Sequence, residues 1–191
     1  MTREAILDGA RKLFGERGYA AVTNKDLAAT AGITTGALYH YVESKLDLYL
    51  AVHGDMQERI YGRFQEAEAS ESTFIGKLEA VLAAAATLNE EDPTLAKFVG
   101  VVRSDIRRHP EIADHLRTVA AARERFFTDM VDCGVETGEI RPDDQQLVQE
   151  FIRVILVGLT EGTSDSIARQ KRAIESILGV VRGTLITTPA R

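Results

Sequence analysis

A run of local start and stop signals between Thr23 and Asp47 constrains this chain more than any other feature. Thr23 precedes Asn24-Lys25-Asp26, so its hydroxyl can cap a helix while the Asp26 carboxylate reaches back to the backbone ahead of it. Gly32 interrupts the helical pattern after Ala31, where a turn that needs a positive φ is best served by glycine. Ser44 and Asp47 repeat the reciprocal capping pattern and open another helix. The stretch therefore reads as a helix, a tight turn and a second short helix, with a long helix directly behind. Leu27, Ala28, Ala31, Ile33 and Leu38 point inward if the two short helices cross over a shared core. Ala28 and Ala31 are small, as close helix approach demands.

The second short helix then turns Thr34, Thr35, Gly36, Tyr39, His40 and Lys45 to solvent, with no carboxylate until Glu43. A face of hydroxyls, a phenol, an imidazole and one cation suits phosphate oxygens and base edges. If this is a recognition helix, its first turn, Thr34, Thr35, Gly36 and Ala37, is the part expected to enter a major groove. Thr35 is expected to bond a base edge, and the Ala37 methyl to meet a thymine methyl. Gly36 lets the backbone come close. Thr23 and Lys25 are expected at phosphate, with Thr23 capping its helix as well.

The segment resembles the DNA-binding domain of the tetracycline-repressor family of bacterial transcription regulators. The matching pieces are Thr23, Asp26-Leu27-Ala28, Ala31-Gly32-Ile33, Gly36-Ala37-Leu38-Tyr39 and Ser44-Lys45. Upstream, Ile6-Leu7, Ala10, Leu13-Phe14 and Glu16-Arg17-Gly18-Tyr19 look like that family's first helix. Many members carry histidine at the position of Tyr41 and phenylalanine at Val42. Tyr41 is thus left between two roles, DNA contact and domain-core residue. The resemblance implies that Tyr39 gives its hydroxyl to phosphate and that Lys45 adds charge there. His40 does the same or reads a base. It also implies a homodimer on double-stranded operator DNA, released when an unknown small-molecule effector binds.

The remaining chain reads as helical throughout, giving an all-α fold of about nine helices. A three-helix DNA-binding domain, residues 1–46, precedes a ligand-binding and dimerisation domain, residues 47–191. Helix one is predicted over Arg3–Arg17 and helix four from Ser44 to about Ala67. At about 1.5 Å per residue helix four spans roughly 36 Å, enough to join two domains. Helix five follows the polar break at residues 68–72. Asp92-Pro93, Pro110 and Pro142-Asp143 signal the starts of helices six, seven and eight. Helix nine is expected from Ser166 to Thr184.

Helix eight is apolar over much of its circumference, so it must be covered on several sides. Phe151, Ile155, Gly158 and Gly162, with Ile174, Ile177, Leu178, Val181 and Leu185 of helix nine, are the expected dimer interface. Filling an intramolecular core is the other use of such helices. By the same resemblance helices four to eight enclose an effector. Phe64, Phe98, Val102, Ile106, Phe126, Phe127 and Phe151 are available to line that cavity. Arg103 and Arg153 lie in otherwise apolar faces, to be paired by Asp105, Glu150 or Glu161, or by an anionic effector.

Charge bears on the DNA reading. The net charge is −6, yet the first 50 residues hold six basic and six acidic side chains, so the excess acidity lies beyond them. Binding would rely on few cations. No run of about 18 apolar residues spans a membrane. Cys133 is the single cysteine, so no internal disulfide forms, which fits a cytoplasmic protein. The four histidines lack a metal-ligand spacing, and no phosphate-cradling glycine loop or catalytic pair is evident. No metal, cofactor or enzymatic activity is expected. A helical enzyme and a protein-binding adaptor are the rival readings.

Overall fold

The structure is a computed structural model describing residues 3–163 and 166–185, with side chains undescribed at 118–123, 157 and 160–163. The described residues form nine α-helices and one 3-10 turn, with no strand. The helices are α1 (Arg3–Ala21), α2 (Asn24–Thr30), α3 (Thr35–Leu38), α4 (Lys45–Glu68), α5 (Phe74–Glu91), α6 (Pro93–Arg108), α7 (Pro110–Glu136), α8 (Gln145–Thr163) and α9 (Ile167–Val181). Pro142–Asp144 is the 3-10 turn that leads into α8. The expected caps appear at Thr23 and Asp92, and Ser166 caps α9. Helix α9 stops a turn short of the sequence expectation, because Gly183 takes φ of 67° and ends it. Among the described residues no helix is long and apolar enough to cross a membrane.

The chain divides into two compact units, residues 1–61 with 92–121, and residues 62–91 with 122–191. The first unit holds the helix-turn-helix together with the start of α4, α6 and the start of α7. Its most extensive helix packing is α1 on α6. Phe14 of α1, Tyr49 of α4 and Phe98 of α6 meet edge to face, at centroid separations of 5.0 Å (Phe14–Tyr49) and 5.2 Å (Tyr49–Phe98). Beside them runs a polar joint. Arg11 is only 3% exposed. Its guanidinium lies 2.9 Å from Asp8, 3.3 Å from Asp55 and 2.6 Å from Asp92, and donates to Thr94 at 3.0 Å. One buried cation thus ties α1 to α4 and to the cap of α6.

The second unit is built on apolar packing. Phe74, Leu78 and Leu82 of α5 pack with Met130 and Val131 of α7, Ile152 and Leu159 of α8, and Ile174 of α9. The loop after α7 closes this core. Glu139 caps α5 by accepting from the Phe74 and Ile75 amides at 2.5 and 3.2 Å. Gly134 lies where a Cβ would come within 2.8 Å of the Phe74 side chain, so the approach needs glycine. One buried polar pair, Asn89 donating to Gln170 at 2.8 Å, fixes α5 against α9.

Removing the Arg11 guanidinium leaves Asp8, Asp55 and Asp92 facing one another without their shared cation. Arg11→Ala is expected to cost about 3 kcal/mol of stability, read by urea denaturation. Adding Asp92→Asn to it should recover part of that loss.

Candidate nucleic-acid interface

The two short helices are fixed by side chains close in sequence. Thr23 Oγ1 accepts from the Asp26 amide at 3.2 Å, and the Thr23 amide donates to Asp26 Oδ2 at 3.0 Å. The Thr23 hydroxyl also gives its proton to Asp26 Oδ2 at 2.5 Å. That hydroxyl is used on both sides within the cap, so capping is the role that the geometry gives Thr23. These bonds hold the Asp26 carboxyl below the usual carboxylate range. Gly32 takes φ of 67°, and the turn closes through Gly32 N–H to Ala29 O and Ile33 N–H to Ala28 O. Thr34 caps α3 by accepting from the Ala37 amide at 3.1 Å, which leaves its own proton to donate outward. Leu27, Ala28 and Leu38 are buried beneath.

Above that floor Gly36, Tyr39, His40 and Tyr41 are exposed, with Thr35 and Ala37 half-buried beside them. A Cβ on Gly36 would meet nothing nearer than Thr34 Oγ1 at 3.9 Å, so its backbone faces open space. Tyr41 is 44% exposed, which places it on the surface and not in the domain core. Helix α3 is a single turn. Tyr39 is its cap residue, and His40 and Tyr41 follow it in the turn. Lys25 is exposed at the start of α2. Sequence reasoning passed over Asn24, whose Nδ2 donates to Tyr39 Oη at 2.7 Å. Its only local signal is its place directly after the cap.

Lys45 points inward. Its Nζ donates to the carbonyls of Tyr19 and Val22, each at 2.9 Å, and lies 4.2 Å from the centre of the Tyr19 ring. Burial lowers its pKa. The reason lies in α1. Gly18 leaves the helix with φ of 74°, so carbonyls at that end need other donors. Tyr19 is held from its other side as well. Its amide donates to Asp105 Oδ2 at 3.0 Å, and Tyr49 Oη donates to the same oxygen at 3.0 Å. Asp105 is 4% exposed and meets its charge with these two donors. Arg153 is bonded to Glu150, one of the expected partners, and both Arg103 and Arg153 are exposed, so neither is a buried charge.

The residues expected around an effector are shared between the two units. Phe98 and Val102 are core residues of the first unit, where Ile106 is half-buried. In the second unit Phe64 packs on Phe126, and Phe126 on Phe127 edge to face at 5.0 Å. Phe151 is exposed. The cavity found in this unit is an open groove of about 360 Å³ lined by Arg63, Glu66, Ala67, Ala80, Ala83, Ala84 and Thr87. The expected association residues divide too. Ile174 is buried in the unit's own core, because that face of α9 packs on α5. Ile155, Ile177, Leu178 and Val181 are partly covered by the same core. Leu147, Phe151, Val154 and Gly158 form an exposed stripe on α8, and Leu185 is exposed beyond α9. Gly162 lies outside the described residues in all but its backbone.

Residues 6–52 match the pattern described as "Bacterial regulatory proteins, tetR family". Over 154 residues the chain is 29% identical to the HTH-type transcriptional repressor KstR2 of Mycolicibacterium smegmatis, covering 79% of this chain and 74% of that protein. Its fold is similar to that of the transcriptional regulator FadR from Bacillus subtilis in complex with stearoyl-CoA, with a TM-score of 0.77 at 21% identity, covering 97% and 98% of the two chains. It is also similar to AibR in complex with isovaleryl coenzyme A and operator DNA, with a TM-score of 0.74 at 16% identity, covering 93% and 96%.

Two outcomes follow from the local geometry. In a carbon-detected NMR titration the Asp26 carboxyl should titrate below free aspartate, and Thr23→Ala should return it toward the ordinary value. The sign is that of a depressed carboxylate: the cap contributes fully above the unfolded aspartate pKa and is lost as pH falls through the folded one. Lys45→Ala should remove two charge-assisted bonds and lower stability by about 2 kcal/mol, read by thermal and urea unfolding.

Proposed function

Because the chain belongs to the tetR family of bacterial regulatory proteins, we propose that it is a homodimeric transcriptional repressor released from operator DNA by a small-molecule effector. The observation that carries this reading is the capped pair α2 and α3, lying within the matched residues and exposing hydroxyl, phenol and imidazole groups together. The reading is regulatory and not catalytic, and it places the protein in the cytoplasm, where the chromosome is.

In this reading Thr35, Gly36 and Ala37 approach base edges, and Thr34, Tyr39, His40, Tyr41 and Lys25 approach phosphates. Lys45 supports the site from within. The exposed stripe of Leu147, Phe151, Val154 and Gly158 joins two copies, and the dimer presents two recognition helices about 34 Å apart to successive major grooves of a near-palindromic operator. An effector that binds better to a dimer of the wrong spacing lowers operator affinity, and operator lowers effector affinity by the same factor. FadR and AibR were each solved with an acyl-CoA. An acyl thioester is therefore the effector class to test first.

Gel-shift assays with DNA from upstream of the chain's own gene test the reading, with acyl-CoA esters added to look for release. Thr35→Ala should change which base pairs are preferred, seen by selection from randomised duplexes. Phe151→Glu should convert the dimer to monomers in sedimentation velocity and abolish specific shifts. A chain that is monomeric as wild type, or that shifts no duplex, overturns the reading.

A further inference from the structure

Asn24 and Tyr39 meet across the turn between α2 and α3, with Asn24 Nδ2 2.7 Å from Tyr39 Oη. The two partners are held differently. Asn24 is the first residue of α2, directly behind the reciprocal Thr23–Asp26 bonds, so its backbone is fixed. Tyr39 closes α3 and is 49% exposed, so burial does little to fix the ring. The carboxamide is therefore the group that sets where the phenol oxygen sits.

The direction of that bond matters once an anion is present. A phosphodiester offers only acceptors, so a phenol that binds it must give its one proton outward. The phenol oxygen is then left with lone pairs that only a donor can satisfy. The Asn24 NH₂ is such a donor. With the amide turned over, its carbonyl would take the phenolic proton and the phosphate would face a lone pair instead. Of the two orientations, only the one seen here is compatible with phosphate. A carboxylate at this position has no such orientation: it accepts the proton and repels the anion. An apolar residue satisfies neither need.

We propose that Asn24 is a positioning residue for DNA binding, whose amide donates to Tyr39 Oη and so turns the phenolic proton toward a backbone phosphate. The proposal rests on reading Tyr39 as a phosphate contact. It makes position 24 selective for a neutral donor.

The test is a double-mutant cycle of Asn24→Ala and Tyr39→Phe. Affinity is measured by fluorescence anisotropy on a duplex that the wild-type chain has selected from a random-sequence pool, with thermal unfolding in parallel. Asn24→Ala and Tyr39→Phe should each weaken binding about 3- to 10-fold, and the double variant should be no weaker than Tyr39→Phe alone to within about twofold. Asn24→Asp should be weaker than Asn24→Ala, and Asn24→Gln should recover part of the affinity. Thermal midpoints should stay at the wild-type value, since neither side chain belongs to the core. If the two single losses multiply in the double variant, the amide acts independently of the phenol and the proposal falls while the Tyr39 reading stands. Wild-type affinity in Asn24→Ala overturns it in the same way. Wild-type affinity in Tyr39→Phe removes the phosphate reading and the proposal together.

Discussion

The peptide at Tyr19 is the joint on which the first unit depends. Its amide donates to a buried carboxylate on α6, Asp105, and its carbonyl accepts from a partly buried ammonium on α4, Lys45. Opposite charges thus stand on the two sides of one residue, each satisfied by a backbone group. Asp105 would be costly to bury alone, since a carboxylate taken from water needs donors. It finds two, the Tyr19 amide and the Tyr49 hydroxyl. Burial and the neighbouring Asp105 push the Tyr49 phenol well up, so it stays a donor throughout the ordinary pH range. Gly18 makes the arrangement possible. Its φ of 74° turns the chain out of α1, and a Cβ there would sit 3.3 Å from Asp105 Oδ1. The recognition turn lies between the two ends of this joint, because α2 begins shortly after Tyr19 and Lys45 opens α4 shortly after α3.

The two units solve the problem of closing a helical core in different ways. In the second, long apolar faces of α5, α7, α8 and α9 interlock, and polar groups serve as caps and one register pair. The first is no poorer in apolar material, with Leu7, Phe14, Leu48 and Met56 among its buried side chains. To that core it adds directional contacts: the Arg11 cluster, the edge-to-face aromatic set and the Tyr19 joint. Directional contacts define angle more sharply than apolar packing does, because a buried hydrogen bond misplaced by an ångström is lost. A surface that must match the spacing of base edges needs that definition.

This difference also explains what could be read in advance. The caps at Thr23, Ser44 and Asp92 and the left-handed Gly32 involve residues two to four apart, so the sequence carries the whole signal. The order and approximate ends of the helices follow from the same local rules. The joints are not legible in this way. Arg11 and Asp92 are 81 positions apart, and Tyr19 and Asp105 are 86 apart. Nothing near either partner marks the other. Phe98 shows the consequence. Its helical spacing fits a cavity wall as well as a core, and only the packing of α6 on α1 makes it core. Lys45 is similar: a lysine after a recognition turn reads as a phosphate contact, and nothing near it in sequence announces the open carbonyls at the end of α1 that it also meets.

Turning Lys45 inward changes how the surface must bind. Near the two short helices Arg17 lies 3.7 Å from Asp26, and Lys25 is exposed. In the proposed reading, hydroxyls, a phenol and an imidazole would do the remaining work. Neutral donors orient on phosphate without releasing many counterions, so each copy gains little from electrostatics. A surface of this kind holds DNA usefully only when two copies act together, because the second contact is then made at a high effective concentration. The exposed apolar stripe on α8 and the nearly neutral recognition face are, on this view, two halves of one solution. Association supplies the affinity that charge does not, and it makes affinity depend on geometry, which is the one property an effector bound elsewhere is able to change.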